Sequence, residues 1–225
     1  MRNLILLAAI AVATAPAAAA DARHPVVVEL YQSQGCSSCP PADLVLNAIA
    51  DRPDVLALSF AVTYWDQLGW KDIFGDPAYT RRQWDYAKAG GRGNVATPQM
   101  IVNGSGVLTG NRREDVDAAI VRYDRGNGGP VILSDGRSAI VQSGAGRGTL
   151  WLVRYDPRTI AVAIRAGENS GRTIPHRNIV RQLVPLGQWT GAAARYSLPA
   201  DKPGLRTALL LQSGPGGPII ASRRL

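Results

Sequence analysis

The chain has 225 residues, of which 46% are hydrophobic and 19% charged, a balance that excludes general disorder. Its 24 Gly, 15 Pro and 6% aromatic residues favour short elements joined by turns and argue against a helical bundle. The net charge is +8, and the two Cys stand three positions apart, which excludes a disulfide framework joining distant segments.

The positive charge is concentrated in the second half of the chain. Residues 130–225 contain 13 basic and 4 acidic residues, whereas residues 21–129 contain 11 and 13. Several bases of the second half stand singly, at spacings that strands would direct to solvent. They are Arg137, Arg147, Arg154, Arg158 and Arg165. Because no Lys/Arg run or known binding motif accompanies them, we favour a solvated sheet surface over a nucleic-acid groove and expect no nucleic-acid partner.

Residues 1–20 have the pattern of a secretory signal peptide. A short, weakly basic start precedes an apolar run over residues 4–14, and small residues then lead to a predicted cleavage site near Ala20. The apolar run is too short to cross a bilayer, which takes about 20 residues. An uncleaved N-terminal anchor is the alternative. We therefore expect a periplasmic or secreted protein without stable membrane insertion, in a compartment where nearby thiols form disulfides.

Residues 24–125 are predicted to form an α/β domain with a mixed sheet. The predicted elements are strands over 26–31, 55–62, 95–102 and 107–109, and helices over 42–50, 77–88 and 112–122. Asp76 and Asn111 are the predicted N-caps of the second and third helices. Asn103-Gly104 is a strong hairpin signal between the last two strands. The resulting order is β-α-β-α-β-β-α, and its first three elements form a parallel crossover unit.

The second half of the chain has a different pattern. Residues 126–130 read Gly-Asn-Gly-Gly-Pro and are predicted to be a linker. Beyond it, short β-rich runs alternate with Gly, Pro, Asn and Asp; they cover 131–133, 138–141, 150–155, 160–166, 179–186 and 208–212. Gly167–Gly171 is the clearest turn between two of these strands. Because no segment is long enough for a convincing amphipathic helix, residues 131–225 are expected to form a small all-β, sandwich-like domain.

The two cysteines lie where the first strand meets the first helix. In Gly35-Cys36-Ser37-Ser38-Cys39 the thiols can reach disulfide distance, and backbone N–H groups at a helix start favour a thiolate. The leading hypothesis is a redox pair. Cys36 is expected to be the more exposed and to form a mixed disulfide, which Cys39 resolves. Pro40 and Pro41 favour a helix that begins at one of them.

Two other interpretations of the cysteine pair remain open. A zinc site would need four ligands, and neither His24 nor His176 is placed beside the pair, but copper(I) accepts two thiolates, as in a non-enzymatic metal-delivery module. A purely structural disulfide is the third interpretation, although so short a loop removes little unfolded-state entropy. Both histidines are interpreted as ordinary surface or turn residues. The sequence gives no reason to expect a bound cofactor.

An aromatic segment follows the second predicted strand. Tyr64, Trp65 and Trp70 lie just past the carboxyl end of that strand, the edge where open α/β sheets bind ligands. They are candidate substrate-binding residues. A local hydrophobic cluster that supports a long loop is the alternative.

Several blocks of the sequence resemble one bacterial family. They are Leu58-Ser59-Phe60 through Tyr64-Trp65-Asp66, Leu68 to Asp72, Ser33 to Asp43, Thr97-Pro98-Gln99 and Gly167-Glu168-Asn169. Together they are similar to an exported thioredoxin-like family catalogued as a domain of unknown function (family 1223), over nearly the whole mature chain. In that family the second strand tends to carry a His and an Asp, where this sequence has Ala61 and Thr63.

The resemblance implies a thioredoxin-like fold for residues 24–125. It also implies that Pro98 is cis, faces the cysteine pair and, with Thr97, docks an extended substrate segment. The implied activity is thiol–disulfide exchange, with protein or small-molecule thiols and disulfides as partners.

Overall fold

The structure is a computed structural model that describes residues 19–225. The predicted signal peptide therefore lies almost entirely outside the described residues. The helices are α1 (Pro40–Ile49), α2 (Pro77–Ala89) and α3 (Arg113–Arg122), and a 3₁₀ turn spans Asp66–Leu68. The strands are β1 (Val26–Gln32), β2 (Val55–Ala61), β3 (Gln99–Val102), β4 (Gly106–Leu108), β5 (Ile132–Ser134), β6 (Ser138–Val141), β7 (Gly148–Asp156), β8 (Ile160–Ala163), β9 (Thr173–His176), β10 (Ile179–Trp189), β11 (Ala194–Ser197), β12 (Arg206–Gln212) and β13 (Ile219–Arg224). Within residues 19–225, no helix is long and apolar enough to span a bilayer.

One mixed sheet of eight strands organises the molecule. Its order is β13-β12-β7-β10-β2-β1-β3-β4, and β1 pairs in parallel with β2 while β3 runs antiparallel to β1. Two smaller antiparallel sheets accompany it, β11-β6-β5 and β8-β9. The protein is therefore a mixed α/β structure with additional antiparallel strands.

The first half of the chain has the predicted order of elements. Asp76 caps α2 as expected, since its side chain accepts a hydrogen bond from the N–H of Ala78 at 2.7 Å. The predicted cap Asn111 is wrong by one position, because Arg112 occupies the N-cap of α3 and makes no capping bond with its side chain. The third strand begins at Gln99 rather than at residue 95.

Alternating side chains of the central strands supply two cores. Val26, Val28 and Leu30 of β1 pack against apolar residues of α1 and α3. Val27 and Tyr31, which point to the opposite face, join the core that α2 covers. Because both faces are covered, β1 and β2 are buried along their whole length, as their continuous apolar runs predict.

The regular elements of residues 131–225 are all strands, as predicted, but their largest group continues the sheet of the first half. Strand β10 joins the free edge of β2 in parallel through Ile179 and Ser59, and β7, β12 and β13 extend the same sheet outward. Val153 and Leu210 from these strands belong to the same buried cluster as Val27. Strand periodicity identifies a buried strand but not its neighbours, so this pairing is invisible in the sequence pattern. The division of the chain at residues 126–130 stays a prediction.

Three strands of the second half, β9, β11 and β13, were not predicted. Each is short or rich in Arg, Pro or Ser, which weakens the strand signal. The expectation that the scattered arginines all face solvent is also wrong at Arg154, which is 1% exposed. Its guanidinium donates to the carbonyl oxygens of Pro199 and Ala200 and to Gln182, so it ties a distant loop to the sheet.

Candidate functional site

The two cysteines form a disulfide at the junction between β1 and α1. Their Cα atoms are 5.4 Å apart, within the usual range for a disulfide. Cys39 is the N-cap residue of α1 and Pro40 the first helical residue, in agreement with the expectation that the prolines start the helix. The carbonyl oxygen of Cys39 accepts hydrogen bonds from the N–H groups of Ala42 and Asp43. The pair is thus fixed to the end of a buried strand and the start of a buried helix.

Both cysteines are fully buried, which corrects the expectation that Cys36 is the more exposed. Each has a relative exposure of 0%. The two residues between them, Ser37 and Ser38, are exposed and form the outer surface of the loop. The Sγ atom of Cys36 lies 3.3 Å from the hydroxyl of Ser38. The sulfurs therefore lie one layer below the surface, covered by their own loop and its neighbours.

Thr97 contacts the cysteine loop and is followed by Pro98. Their peptide bond is cis, which confirms the expectation for Pro98. The Ser38 hydroxyl donates to the carbonyl oxygen of Thr97 at 3.4 Å, and the indole N–H of Trp65 donates to the Thr97 hydroxyl at 2.7 Å. A Cβ at Gly35 would lie 3.3 Å from that of Trp65, so the aromatic residue packs closely on the cysteine loop.

Tyr64 and Trp70 support this region from two sides. The hydroxyl of Tyr64 donates to Gln83 on α2 at 3.3 Å, and burial raises the pKa of this phenol. The indole N–H of Trp70 donates to the side chain of Gln34 at 2.9 Å. Both side chains, like that of Trp65, are half-buried and hydrogen-bonded within the protein. Trp65 and Trp70 thus contact the cysteine loop, whereas Tyr64 is held by Gln83 on α2.

Asp72 anchors the chain just before the cysteines. Its carboxylate accepts hydrogen bonds from the N–H groups of Gln34 and Phe74, both at 2.8 Å. Burial raises the pKa of this carboxyl, although the two backbone donors oppose the shift. Asp72 therefore joins the aromatic segment to the loop that carries the disulfide.

A turn from the second half of the chain clamps the cysteine loop. The side-chain amide of Asn169, which is 0% exposed, donates to the carbonyl oxygens of Gln34 at 2.9 Å and Cys36 at 2.8 Å. The adjacent Glu168 accepts a hydrogen bond from the N–H of Ser37 at 3.1 Å, and the pKa of its carboxyl is lowered by hydrogen bonding to Ser37. The sequence shows these residues as part of a turn, but not that the turn reaches the cysteines.

A buried Asp–His pair lies behind the helix start. Asp43 is four residues after Cys39 and 2% exposed, and its Oδ1 lies 3.2 Å from Nδ1 of His176, which is 0% exposed. His176 is therefore not the surface or turn residue that the sequence indicated. Burial lowers the pKa of His176, but the hydrogen bond and charge of Asp43 and the charge of Asp72 outweigh it, so the net shift is upward. Burial likewise raises the pKa of Asp43, against the influence of His176.

The second atoms of this pair have no partners. Within residues 19–225, neither Oδ2 of Asp43 nor Nε2 of His176 makes a hydrogen bond. Asp43 lies one helical turn from Cys39, since positions i and i+4 share a helix face. The imidazole of His176 contacts the carboxyl of Asp43. Single-sequence reasoning missed it because the two residues are 133 positions apart.

The described residues offer little support for a metal centre. Across residues 19–225, no group of three or more His, Cys, Asp or Glu side chains could hold a metal ion. The cysteines are bonded to each other. A copper(I) site at Cys36 and Cys39 would therefore consist of two thiolates formed by reduction, without a further ligand of these types grouped beside them.

Comparison with known proteins identifies the family. A family model described as "Protein of unknown function (DUF1223)" matches residues 27–212, a span that includes the disulfide, Asn169 and His176. The chain belongs to the DUF1223 family. This confirms the resemblance inferred from the sequence blocks. The family description assigns no reaction.

Two solved structures are similar to this DUF1223 chain. A crystal structure of a structural-genomics target from Agrobacterium tumefaciens has a TM-score of 0.76 and 29% identity, and the match covers 92% of this chain and 94% of that one. HBP35 of Porphyromonas gingivalis has a TM-score of 0.60 and 11% identity, with 90% of this chain and 75% of that chain covered. A search of curated proteins finds no match.

Proposed function

We propose that this protein is an exported thiol–disulfide exchange protein that acts through Cys36 and Cys39. The observation that carries the proposal is the disulfide itself, at a strand–helix junction and beside Thr97 and Pro98. A bond between residues three positions apart closes so small a loop that chain entropy gives little reason for its presence. Cys39 at the N-cap of α1 also lies where the helix dipole favours a thiolate once the bond is reduced.

A thioredoxin-like fold for residues 24–125 belongs to the same proposal. The order β1-α1-β2-α2-β3-β4-α3 supports it, as does the antiparallel hairpin of β3 and β4 at the sheet edge. The helices lie on both faces of the sheet, with α1 and α3 on one and α2 on the other. In this arrangement the cysteine pair stands at the carboxyl end of β1, where ligands meet an α/β sheet.

The proposed exchange proceeds in two balanced steps. A partner thiolate attacks Sγ of Cys36, the Cys36–Cys39 bond breaks, and Cys39 leaves as a thiolate that takes up a proton. A second partner thiolate then attacks the partner sulfur of the mixed disulfide and releases Cys36. Two electrons pass from two partner thiols to the pair, and the partner becomes a disulfide. The reverse sequence reduces a partner.

Exchange requires that the cover over the sulfurs opens, since both cysteines are buried in the oxidised protein. The cover consists of exposed Ser37 and Ser38 and of the contacts that hold them, from Glu168 and Thr97. These are few and partly exposed hydrogen bonds, which are drawn from the low-stability end of a protein. The opening is therefore local rather than global.

The signal-peptide pattern of residues 1–20 supports export to the periplasm or the exterior. The oxidised pair is consistent with such a compartment. Mass spectrometry of the protein from the periplasmic fraction should give an N-terminus near Asp21. A full-length chain found only in the cytoplasm would contradict export but would not bear on the proposed thiol–disulfide exchange.

The test of exchange uses two serine variants. In Cys39→Ser the free Cys36 thiolate should attack a disulfide substrate and release one of its sulfurs as a thiolate. The resulting mixed disulfide should persist, visible as a mass increase, because the resolving thiol is absent. Cys36→Ser should form no such adduct and should lose dithiol-exchange activity. Exchange activity that is unchanged in Cys36→Ser would end the proposal.

The complete burial of the sulfurs favours one other candidate, a structural disulfide. The two are separated by the rate at which dithiothreitol reduces the native protein. If the disulfide is structural, reduction should be no faster than global unfolding and should accelerate steeply with urea. For the exchange protein, reduction should be faster than unfolding and nearly independent of low urea concentrations, because it needs only local opening.

A further inference from the structure

A cationic cavity lies apart from the disulfide, with none of the cysteine-loop residues in its walls. Its volume is about 460 Å³, within the range of about 300–1,000 Å³ typical of small-molecule sites. The walls bring together the segment before β1, the residues after α3, β5 and β13. Arg23, His24, Arg125 and Arg223 line it, and no acidic residue of the described chain does.

The arginines of this cavity are not neutralised by the protein. Among residues 19–225, Arg23, Arg125 and Arg223 take part in none of the ion pairs. His24, which also lines the cavity, pairs with Asp21. Arg125 is half-buried, and burial lowers the pKa of its guanidinium to about 10 despite the charge of nearby Asp124. A half-buried cation outside any ion pair has lost part of its hydration, and a bound anion would compensate for that loss.

The guanidinium groups also retain unused donors. Each guanidinium has five N–H donors. Arg125 makes three hydrogen bonds, to the carbonyl oxygen of Pro25, to Asn103 and to the hydroxyl of Ser222. Arg223 makes one, to the carbonyl oxygen of Ile132, and its Nε is buried with no partner in the described chain. Donors therefore remain on both groups for a ligand.

The two nearest carboxylates are occupied elsewhere. Asp21 pairs with His24 at 3.1 Å and accepts bonds from backbone N–H groups. Asp124 accepts hydrogen bonds from the N–H groups of Ala20 and Gly126 and lines a neighbouring cavity, to which Arg125 also contributes. Neither acid reaches the arginines of the cationic cavity within ion-pair distance.

The remaining walls are apolar. Pro130, Val131, Ile132, Leu133 and Ala221 contribute to them, and Val131 and Leu133 are partly exposed, at 37% and 39%. An inorganic ion would leave these surfaces in water, whereas an acid with an apolar body would cover them.

We propose that this cavity binds a small organic anion, with a carboxylate or phosphate head on Arg125 and Arg223 and an apolar body against residues 130–133. Arginine suits this role because its planar fork binds such heads with two parallel hydrogen bonds. The site is independent of Cys36 and Cys39. Its two head-binding arginines come from both halves of the chain, Arg125 from the end of the first and Arg223 from β13.

Isothermal titration calorimetry tests the proposal with octanoate, phenyl phosphate, inorganic phosphate and 1-octanol. Octanoate or phenyl phosphate should bind saturably at millimolar concentrations or below. Octanol should bind at least about tenfold more weakly, since it lacks the charge-assisted hydrogen bonds. Inorganic phosphate should also bind more weakly, because it covers no apolar wall. A preference for phenyl phosphate would identify a phosphate head, and one for octanoate a carboxylate.

Variants then locate the binding. Arg223→Gln should weaken binding at least about tenfold, while Arg147→Gln, an exposed arginine outside the cavity, should leave it unchanged. Arg125 also donates hydrogen bonds to Pro25 and Ser222, so Arg125→Lys can lower stability as well as binding. Weaker binding in this variant counts for the site only if its thermal unfolding curve matches that of the wild type. No saturable binding of either acid, or binding unaffected by Arg223→Gln, would overturn the proposal.

Discussion

Asn169 gives the sharpest test of how the disulfide is covered. Its amide is the donor for Gln34 and Cys36 on a loop more than 130 residues away in sequence, and its own Oδ1 accepts a bond from Arg172 at 3.0 Å. In Asn169→Ala the carbonyl oxygen of Gln34 loses its donor, whereas that of Cys36 keeps the N–H of Cys39. One buried carbonyl oxygen without a donor and one lost hydrogen bond should together lower the free energy of unfolding by about 2–4 kcal/mol.

The same loss should speed reduction of the disulfide. If the clamp closes the cover, removing about 2 kcal/mol of closing energy raises the open population by roughly thirtyfold. We expect the pseudo-first-order rate of reduction by dithiothreitol to rise at least about tenfold. The free energy of unfolding measured in urea should fall by about 2–4 kcal/mol. Tryptophan fluorescence follows unfolding, and mass spectrometry after alkylation follows reduction.

Two further variants control this experiment. Asn169→Asp keeps an acceptor for Arg172 but turns a carboxylate towards two carbonyl oxygens, so it should be at least as destabilised as the alanine variant. Asn127→Ala removes an exposed amide and should match the wild type. A destabilised Asn169→Ala protein that is reduced at the wild-type rate would show that the clamp is not part of the cover.

Three further predictions concern the cores and the buried pair. Arg82 pairs with Glu29, which is 1% exposed, at 2.7 Å, so Arg82→Met should leave an uncompensated buried charge and lower the free energy of unfolding in urea by about 3–5 kcal/mol. Adding Glu29→Gln should recover much of that loss. The upward pKa shifts of His176 and Asp43 mean that the folded state holds their protons more tightly. The contribution of each group to stability is fully present below its unfolded pKa and is lost as pH rises through its folded pKa. The loss begins above 3.8 for Asp43 and above 6.5 for His176, so wild-type stability should fall as pH rises above 6.5, and His176→Gln should flatten that fall. Gly104→Ala should lower the melting temperature because φ is +68° and the new Cβ would collide with the carbonyl oxygen of Gly217, whereas Gly93→Ala should not.

Local signals explain why residues 26–122 could be predicted closely. Continuous apolar runs mark β1 and β2, Asp76-Pro77 marks the start of α2, and Asn103-Gly104 marks the hairpin, where both residues adopt the expected positive φ of +46° and +68°. The cysteine pair was placed by the same logic, because it lies between two such elements. These features depend on neighbours in sequence.

The features that were missed depend on partners far away in the chain. The prediction that Cys36 is exposed was wrong because a turn 133 residues downstream, at Asn169, packs on the cysteine loop. His176 and Arg154 were interpreted as solvent-facing, although both are buried against distant polar groups. Charge and polarity predict exposure only when no such partner exists, and a single sequence does not reveal partners.

The candidate site is accordingly a product of the whole chain rather than of residues 24–125. Strand β10 pairs with the edge of β2 that the first half leaves open, and the turn that follows β8 carries Asn169 to the cysteine loop. His176, in β9, reaches Asp43 on α1, and Gln212, in β12, reaches Arg82 on α2. Each of these contacts satisfies a buried polar group of the first half. The second half therefore completes the sheet and contributes groups that surround the disulfide, so the proposed exchange at Cys36 and Cys39 depends on residues outside the segment that contains them.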